Sequence, residues 1–205
     1  MANQPPPLRK SDVDADPVRQ FADWFAQSAD VGAPAPEAAA LATATTGGEP
    51  SLRMVLVKQA DEHGFVFYSN YESRKGRELA ANPRAALLFH WSVLGRQVRV
   101  EGPVKRTTPE ESTAYVRSRT LGSQLSALAS PQSRRVDSRA VLERRVAELR
   151  ERYAGSELPV PAAWGGFRLA PVRFEFWQNR DDRLHDRLLY TSQPDGSWQL
   201  ERLAP

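Results

Sequence analysis

Gln97-Val98-Arg99-Val100-Glu101-Gly102-Pro103-Val104-Lys105 alternates apolar and charged residues. Val98, Val100 and Val104 face one way, and Arg99, Glu101 and Lys105 the other. A period of two with one dry and one wet face is the mark of a strand in an antiparallel sheet. Further short apolar or alternating runs lie upstream at 41–45, 52–58, 65–69 and 85–91. Gly47-Gly48 and Asp61-Glu62-His63-Gly64 separate them as turns, and one short helical stretch sits at 73–82.

Further upstream, Asp16-Pro17 reads as an N-cap followed by the first helical position. Val18, Phe21, Ala22, Trp24 and Phe25 follow at helical spacing, and Gly32, Pro34 and Pro36 end the helix. Residues 1–15, with three consecutive prolines, read as a flexible tail. Downstream, 109–118 and 137–153 read as helices, the second with Val141, Leu142, Val146 and Leu149 opposite a Glu- and Arg-laden side. A connector with Pro159 and Pro161, then Gly165-Gly166, leads into three more strands. In the first, Val172, Phe174 and Phe176 alternate with Arg173 and Glu175; the others are 188–191 and 197–203. About eight short strands with a few helices predict a mainly β chain of the α+β class. The expected architecture is an antiparallel barrel with helical decoration, in a single domain over 16–205.

The 205 residues hold no cysteine, which excludes thiolate zinc sites, iron–sulfur ligation and a disulfide framework and suits a reducing cytoplasm. The apolar runs are too short for the roughly 18 residues that span a bilayer, and the start lacks the apolar core of a secretory signal. A net charge of +3 does not mark a nucleic-acid protein, although 24 of the 28 basic residues are arginine, the side chain suited to planar or phosphate anions.

Dinucleotide and P-loop fingerprints are absent, as is a nucleophile elbow, and three scattered histidines cannot build a zinc site of the usual spacing. What remains is a set of basic and hydroxyl residues where strands end. Ser73-Arg74-Lys75 opens a helix directly after a strand, where free N–H groups and the helix dipole favour an anion. Arg53 and Lys58, five apart, would point to opposite faces of a regular strand, so periodicity alone does not join them. Arg183-Leu184-His185-Asp186-Arg187 places two arginines and a histidine on alternate positions, hence on one face of an expected strand. An anion or nearby carboxylates must neutralise them. His63 reads as exposed and His90 as a core or interface histidine. Trp24, Trp91, Trp164 and Trp198 read as packing residues.

Together these pieces resemble the pyridoxine/pyridoxamine 5′-phosphate oxidases, flavoproteins of the FMN-binding split-barrel fold. The matching stretches are Arg53-Met-Val-Leu-Val-Lys58, Phe67-Tyr-Ser-Asn70, Ser73-Arg-Lys-Gly76, Arg96-Gln-Val98 and Gln132-Ser133. They continue through Trp164-Gly-Gly-Phe-Arg168, Glu175-Phe-Trp-Gln178, Arg183-Leu-His-Asp-Arg-Leu-Leu-Tyr190 and Glu201-Arg-Leu-Ala-Pro205. The resemblance implies FMN held by Arg53, Met54, Val55, Leu56, Val57, Lys58, Tyr68, Ser69, Arg74, Lys75, Gln97, Gln132, Ser133, Trp177 and Arg187. It implies substrate phosphate held by Lys58, Tyr115, Arg119 and Ser123, with Arg183, Leu184 and His185 at the substrate ring and Arg183 and His185 as the catalytic pair. It further implies a homodimer with FMN at the interface, residues 164–205 completing the sites, and O2 as acceptor with H2O2 as product. No nucleic-acid or membrane partner and no metal is expected.

The chain departs from common family patterns at Arg119-Thr120-Leu121, Ser126-Ala127-Leu128 and Phe89-His90-Trp91, and has no Arg-x-x-Tyr ahead of Leu8. These departures fall on the substrate side. They keep two alternatives open: a sibling flavin oxidase acting on a dihydrophenazine-type ring, and a non-catalytic FMN or pyridoxal-phosphate binding protein.

Overall fold

A computed structural model describes residues 6–205. In chain order the elements are α1 (Pro17–Asp30), β1 (Ala38–Ala44), β2 (Pro50–Asp61), β3 (Gly64–Asn70), α2 (Arg74–Ala81), β4 (Arg84–Trp91) and β5 (Arg96–Arg106). There follow α3 (Pro109–Ser118), α4 (Leu121–Ala129), α5 (Arg139–Arg152), β6 (Trp164–Leu169), β7 (Arg173–Gln178), β8 (Asp186–Ser192) and β9 (Trp198–Arg202). All strand pairings are antiparallel. The strands run β4-β1-β2-β3-β6-β5-β7-β8-β9, and the additional β4–β5 pairing closes the first six into a barrel. The expected barrel class therefore holds.

Strand β5 is the hinge of this arrangement. Its first half, 96–101, pairs with β7, and its last residues, 104–106, pair with β6, while β4 lies along its other edge. The crossing is tight at Gly102, where a Cβ would stand 1.9 Å from the Ala170 carbonyl oxygen. Val98 and Val100 are fully buried and Val104 nearly so, as the alternation requires.

The barrel interior is aromatic. Phe21 of α1 meets Phe65 and Phe89 edge-on, each at 4.9 Å between ring centres, and Trp24 meets Phe176 at 5.2 Å. Helix α1 thus plugs the barrel. Burying each such ring is worth roughly 2–3 kcal/mol, so truncating Phe21 would loosen both helix and strands. Asp16 caps α1 through Val18 N–H, with Pro17 in the first turn, as the sequence indicates.

Several expectations need correction. Residues 6–14 do not trail from the barrel: Leu8 is buried, its N–H donates to Asp186 at 3.0 Å, and Tyr190 Oη donates to the Asp14 carbonyl at 2.7 Å. Residues 1–5 of the expected tail lie outside the described residues. Strand β6 and helix α4 were not anticipated. Gly165 and Gly166 look like a connector, yet each sits where a Cβ would collide, with Tyr71 Oη at 2.1 Å and Thr107 Oγ1 at 2.4 Å. His90 is exposed on β4 of the single chain, which removes the core reading and leaves the interface one, and Glu175, expected on a wet face, is 4% exposed. Among the described residues no helix is long and apolar enough to cross a membrane.

Candidate active site

The cations expected at a phosphate gather where β2, β3 and the start of α2 meet. Arg53 points inward from β2. Its Nη1 donates to Thr43 Oγ1 at 2.5 Å and to the Leu41 carbonyl at 3.3 Å, and its Nη2 donates to Ser51 Oγ and lies 3.4 Å from Glu78 Oε2. Arg74, in the first turn of α2, donates Nε to Glu78 Oε1 at 2.8 Å. Lys75, only 8% exposed, donates Nζ to Ser69 Oγ at 3.1 Å and to Gln132 Oε1 at 3.3 Å.

Among the described residues Lys75 has neutral oxygens as partners and no carboxylate ion pair. Burial pushes its pKa down, and the nearby Arg53 charge adds to the effect while Glu78 opposes it. A buried, unpaired ammonium is costly and marks a place for an anion. Buried Ser73 caps α2 by accepting from Gly76 N–H, and the helix start adds its own dipole. Three cations around one helix N-terminus, one lacking a counter-ion, fit a phosphate group.

Glu78 organises this cluster. Burial alone would raise its pKa, but hydrogen bonds from Ser51, Thr43 and Arg74, with the Arg53 charge, hold it at about 2. The sequence reading passed it over. Its position four residues after Arg74, on the same helix face, was the available signal.

The rest of the Arg53–Lys58 motif is divided. Met54 and Leu56 point outward with 64% and 46% exposure, and Val57 is buried. A register shift between Val57 and Gln59 interrupts β2 at exposed Lys58, whose Nζ lies 3.7 Å from Glu37. Lys58 instead borders a cavity of about 210 Å³ with Phe21, Phe25 and Phe89, and makes no contact with the Arg53 cluster.

A second group forms one row across the outer face of the barrel. Gln97 on β5 pairs with Trp177 on β7, which pairs with Arg187 on β8. The His185 ring centre lies 4.7 Å from that of Trp177. Arg187 is fixed by Glu175, which takes two of its N–H groups, and by the Ala204 carbonyl at 2.8 Å. The bonds to Glu175 and its charge raise the Arg187 pKa against its burial. Three strand spacings separate β5 from β2 around the barrel, roughly 14 Å at 4.8 Å each. Among the described residues no hydrogen bond, ion pair or ring contact joins this row to the Arg53 cluster.

Arg183 and His185 are not on a strand face. Strand β8 begins at Asp186, and Arg183 sits in a turn with φ of +66°, the left-handed region. The alternation in sequence is therefore coincidental, because a turn breaks the period of two. His185 Nδ1 accepts the Arg180 N–H at 3.0 Å, which leaves the ring proton on Nε2. Leu184 is 68% exposed.

Three of the four residues expected at the substrate phosphate, Tyr115, Arg119 and Ser123, line the corner between α3 and α4. Tyr115 stacks on Tyr68 at 3.7 Å, and both lie nearly parallel to Trp164 about 6 Å away. Burial raises the pKa of each tyrosine. The Arg119 guanidinium lies 4.5 Å over the Trp164 ring, and its buried Nη1 has no hydrogen-bond partner among the described residues. Ser123 lies in the first turn of α4, its N–H and Oγ bonded to Thr120. Arg119, Trp164, Tyr68, Ser69 and Gln132 share a cleft of about 320 Å³. The cleft therefore joins one expected substrate residue to three expected flavin residues. Ser133, beside it in sequence, is exposed with φ of +70°. Trp164, read as packing, is the shelf beneath Arg119.

A family model described as pyridoxamine 5′-phosphate oxidase matches residues 28–153, and one described as the pyridoxine 5′-phosphate oxidase C-terminal dimerisation region matches 164–205. A pyridoxine/pyridoxamine 5′-phosphate oxidase of Cupriavidus pinatubonensis is 54% identical over 97% of this chain and 93% of its own length. One of Ralstonia nicotianae is 56% identical over 95% and 92%. Among solved structures, PhzG of Burkholderia lata with tetrahydrophenazine-1-carboxylic acid superposes with a TM-score of 0.92 at 31% identity, covering 99% of this chain and 100% of that one.

Proposed function

The chain belongs to the pyridoxine/pyridoxamine 5′-phosphate oxidase family, and from that premise we propose that its two clusters are the two halves of one FMN site, completed across a homodimer. It is an FMN-dependent oxidoreductase of vitamin B6 metabolism that converts pyridoxine or pyridoxamine 5′-phosphate to pyridoxal 5′-phosphate. Lys75 carries the assignment of the phosphate end: a buried cation beside two guanidinium groups, with no carboxylate of its own among the described residues.

Arg53, Arg74, Lys75 and Ser69 would hold the FMN phosphate, with Tyr68, Gln132 and Ser133 beside it. Gln97, Trp177 and Arg187 would come from the partner subunit. Two observations favour this division. Within one chain the groups stand on different faces, and β2 presents Leu52, Met54 and Leu56 to solvent at 69%, 64% and 46% exposure. Such an apolar row on a sheet face suits burial against a second copy, consistent with the C-terminal region matched as a dimerisation region.

When bound, FMN supplies the two-electron acceptor, with O2 as terminal acceptor and H2O2 as product. The chain supplies orientation. Unpartnered Arg119 Nη1 and the start of α4 at Ser123 would bind the substrate phosphate, with the Trp164 ring fixing the guanidinium plane. The Tyr68–Tyr115–Trp164 stack walls that cleft with apolar surface. Arg183 and His185 would meet the substrate ring, His185 as a donor through Nε2. Lys58 contacts neither half within one chain, so its part in substrate binding rests on the dimer. A cytoplasmic location belongs to the same proposal and rests on the cysteine-free chain and its oxidase relatives.

The likeness to PhzG keeps the dihydrophenazine reading as the competitor. One experiment separates them. The FMN-loaded protein is given pyridoxamine phosphate, pyridoxine phosphate or a dihydrophenazine carboxylate, and peroxide is measured. Release with the phosphorylated vitamers is expected. Release with the dihydrophenazine alone transfers the assignment to the sibling, and none at all leaves an FMN-binding protein.

A further inference from the structure

We propose that Glu78 is a positioning residue for the flavin phosphate: a buried carboxylate that aims Arg53 and Arg74 and trims the charge of their cluster to match a phosphate dianion. The inference rests on the phosphate assignment above and adds a residue to which that assignment gives no role.

Glu78 is saturated by protein groups. Its Oε2 accepts from Thr43 Oγ1 and Ser51 Oγ, both at 2.5 Å, and lies 3.4 Å from Arg53 Nη2, while Oε1 accepts from Arg74 Nε at 2.8 Å. A hydroxyl has a single proton to donate. Because Thr43 and Ser51 both give theirs to Glu78, each turns a lone pair toward Arg53, whose Nη1 and Nη2 donate to those two oxygens. The carboxylate thus fixes Arg53 through two relays while gripping Arg74 directly. These partners come from β1, β2 and α2, so one side chain sets the relation between three elements.

Charge sets a competing expectation. Arg53, Arg74 and Lys75 carry three positive charges, and Glu78 leaves the cluster with two, the charge of a fully ionised phosphate monoester. A carboxylate near an incoming phosphate is repulsive. If charge alone mattered, replacing Glu78 would tighten FMN binding. If aim matters more, the replacement weakens binding although the cluster becomes more positive. The two accounts differ in sign.

The test uses the flavin-free full-length protein and measures Kd for FMN and for riboflavin, which lacks the phosphate, by flavin fluorescence. Glu78→Gln should weaken FMN by about tenfold or more, the scale of a lost charge-assisted hydrogen bond, and leave riboflavin unchanged. Thr43→Val, which removes one relay without touching the carboxylate, should lower the FMN-over-riboflavin preference in the same direction by a smaller factor. It decides the matter should Glu78→Gln fail to fold by circular dichroism. FMN binding as tight as or tighter than the parent's in a folded variant overturns the inference, as does an equal loss for both flavins. If the parent itself shows no preference for FMN over riboflavin, the phosphate assignment fails and takes the inference with it.

Discussion

Both carboxylate oxygens of Glu175 are taken by Arg187, whose Nε and Nη2 each lie 3.0 Å away, and Arg99 Nη2 reaches Oε2 at 2.6 Å. This buried carboxylate thus holds two guanidinium groups from strands on either side of β7. Glu175→Ala would leave Arg187 without its carboxylate partner and Arg99 with Glu101 alone, 2.8 Å from its Nε, and should cost about 3 kcal/mol in urea unfolding. Arg187→Ala leaves Glu175 with Arg99 and should cost roughly 1–2 kcal/mol, but FMN affinity should fall with it. Equal stability losses would mean that Arg99 contributes nothing to holding Glu175.

Lys75 sets stability against binding. Burial lowers its folded-state pKa, so the unfolded chain holds that proton more tightly. The flavin-free protein should therefore gain stability as pH rises from the folded-state value toward the ordinary lysine value of 10.5. Lys75→Met should remove that slope, stabilise the flavin-free protein by about 1 kcal/mol, and weaken FMN binding. A thermal melt series across alkaline pH, with and without FMN, reads all three. A variant less stable than the parent at neutral pH would show that the ammonium is well satisfied where it sits.

Arg183→Leu should leave flavin content near that of the parent and reduce pyridoxamine-phosphate-dependent peroxide release by roughly 10²-fold, the scale of a lost positioning contact. Because φ at this position is +66°, Arg183→Gly is the needed companion, relieving the backbone while also removing the side chain. If Gly restores activity, the turn matters and the guanidinium does not. Arg74→Ala should behave in the opposite order, losing FMN first and activity as a result.

Met54→Asp places a charge in the exposed row Leu52, Met54 and Leu56 without touching the barrel interior. Light scattering should show the dimer dissociating toward a mass near the 22.9 kDa of one chain, with flavin lost in step. A variant that stays dimeric and yellow would move the interface away from β2.

Much of this architecture is legible in the chain, and the limits have physical reasons. The alternation through Val98, Val100 and Val104 and the Asp16-Pro17 helix start are local signals, and both elements form as read. Strand β6 hid behind Gly165 and Gly166, which are there because Tyr71 and Thr107 leave no room for a Cβ, a reason that exists only in three dimensions. The alternation at Arg183, His185 and Arg187 misled for the converse reason: two of the three lie in a turn before β8. Glu175 follows the outward period faithfully yet is buried, because Arg99 and Arg187 close over it from neighbouring strands. The sequence itself singled out Arg53, Arg74, Lys75 and the Arg183–Arg187 cluster, the family resemblance added their roles and the remaining residues, and the two carboxylates that hold the arginines came from the geometry alone.

The pairing of β6 with β3 on one side and β5 on the other has a consequence in time. Helix α1 and the first five strands are synthesised early, yet the ring stays open until residue 169 has emerged from the ribosome. Until then the edges of β3 and β5 are bare, and the aromatic interior around Phe65 and Phe67 is open along that seam. Nascent chains arrested short of Trp164 should accordingly be cut readily by protease and captured by chaperones, and chains arrested well beyond Leu169 should resist. The barrel is shut by β6, which is made only after α3, α4 and α5 have followed the first five strands.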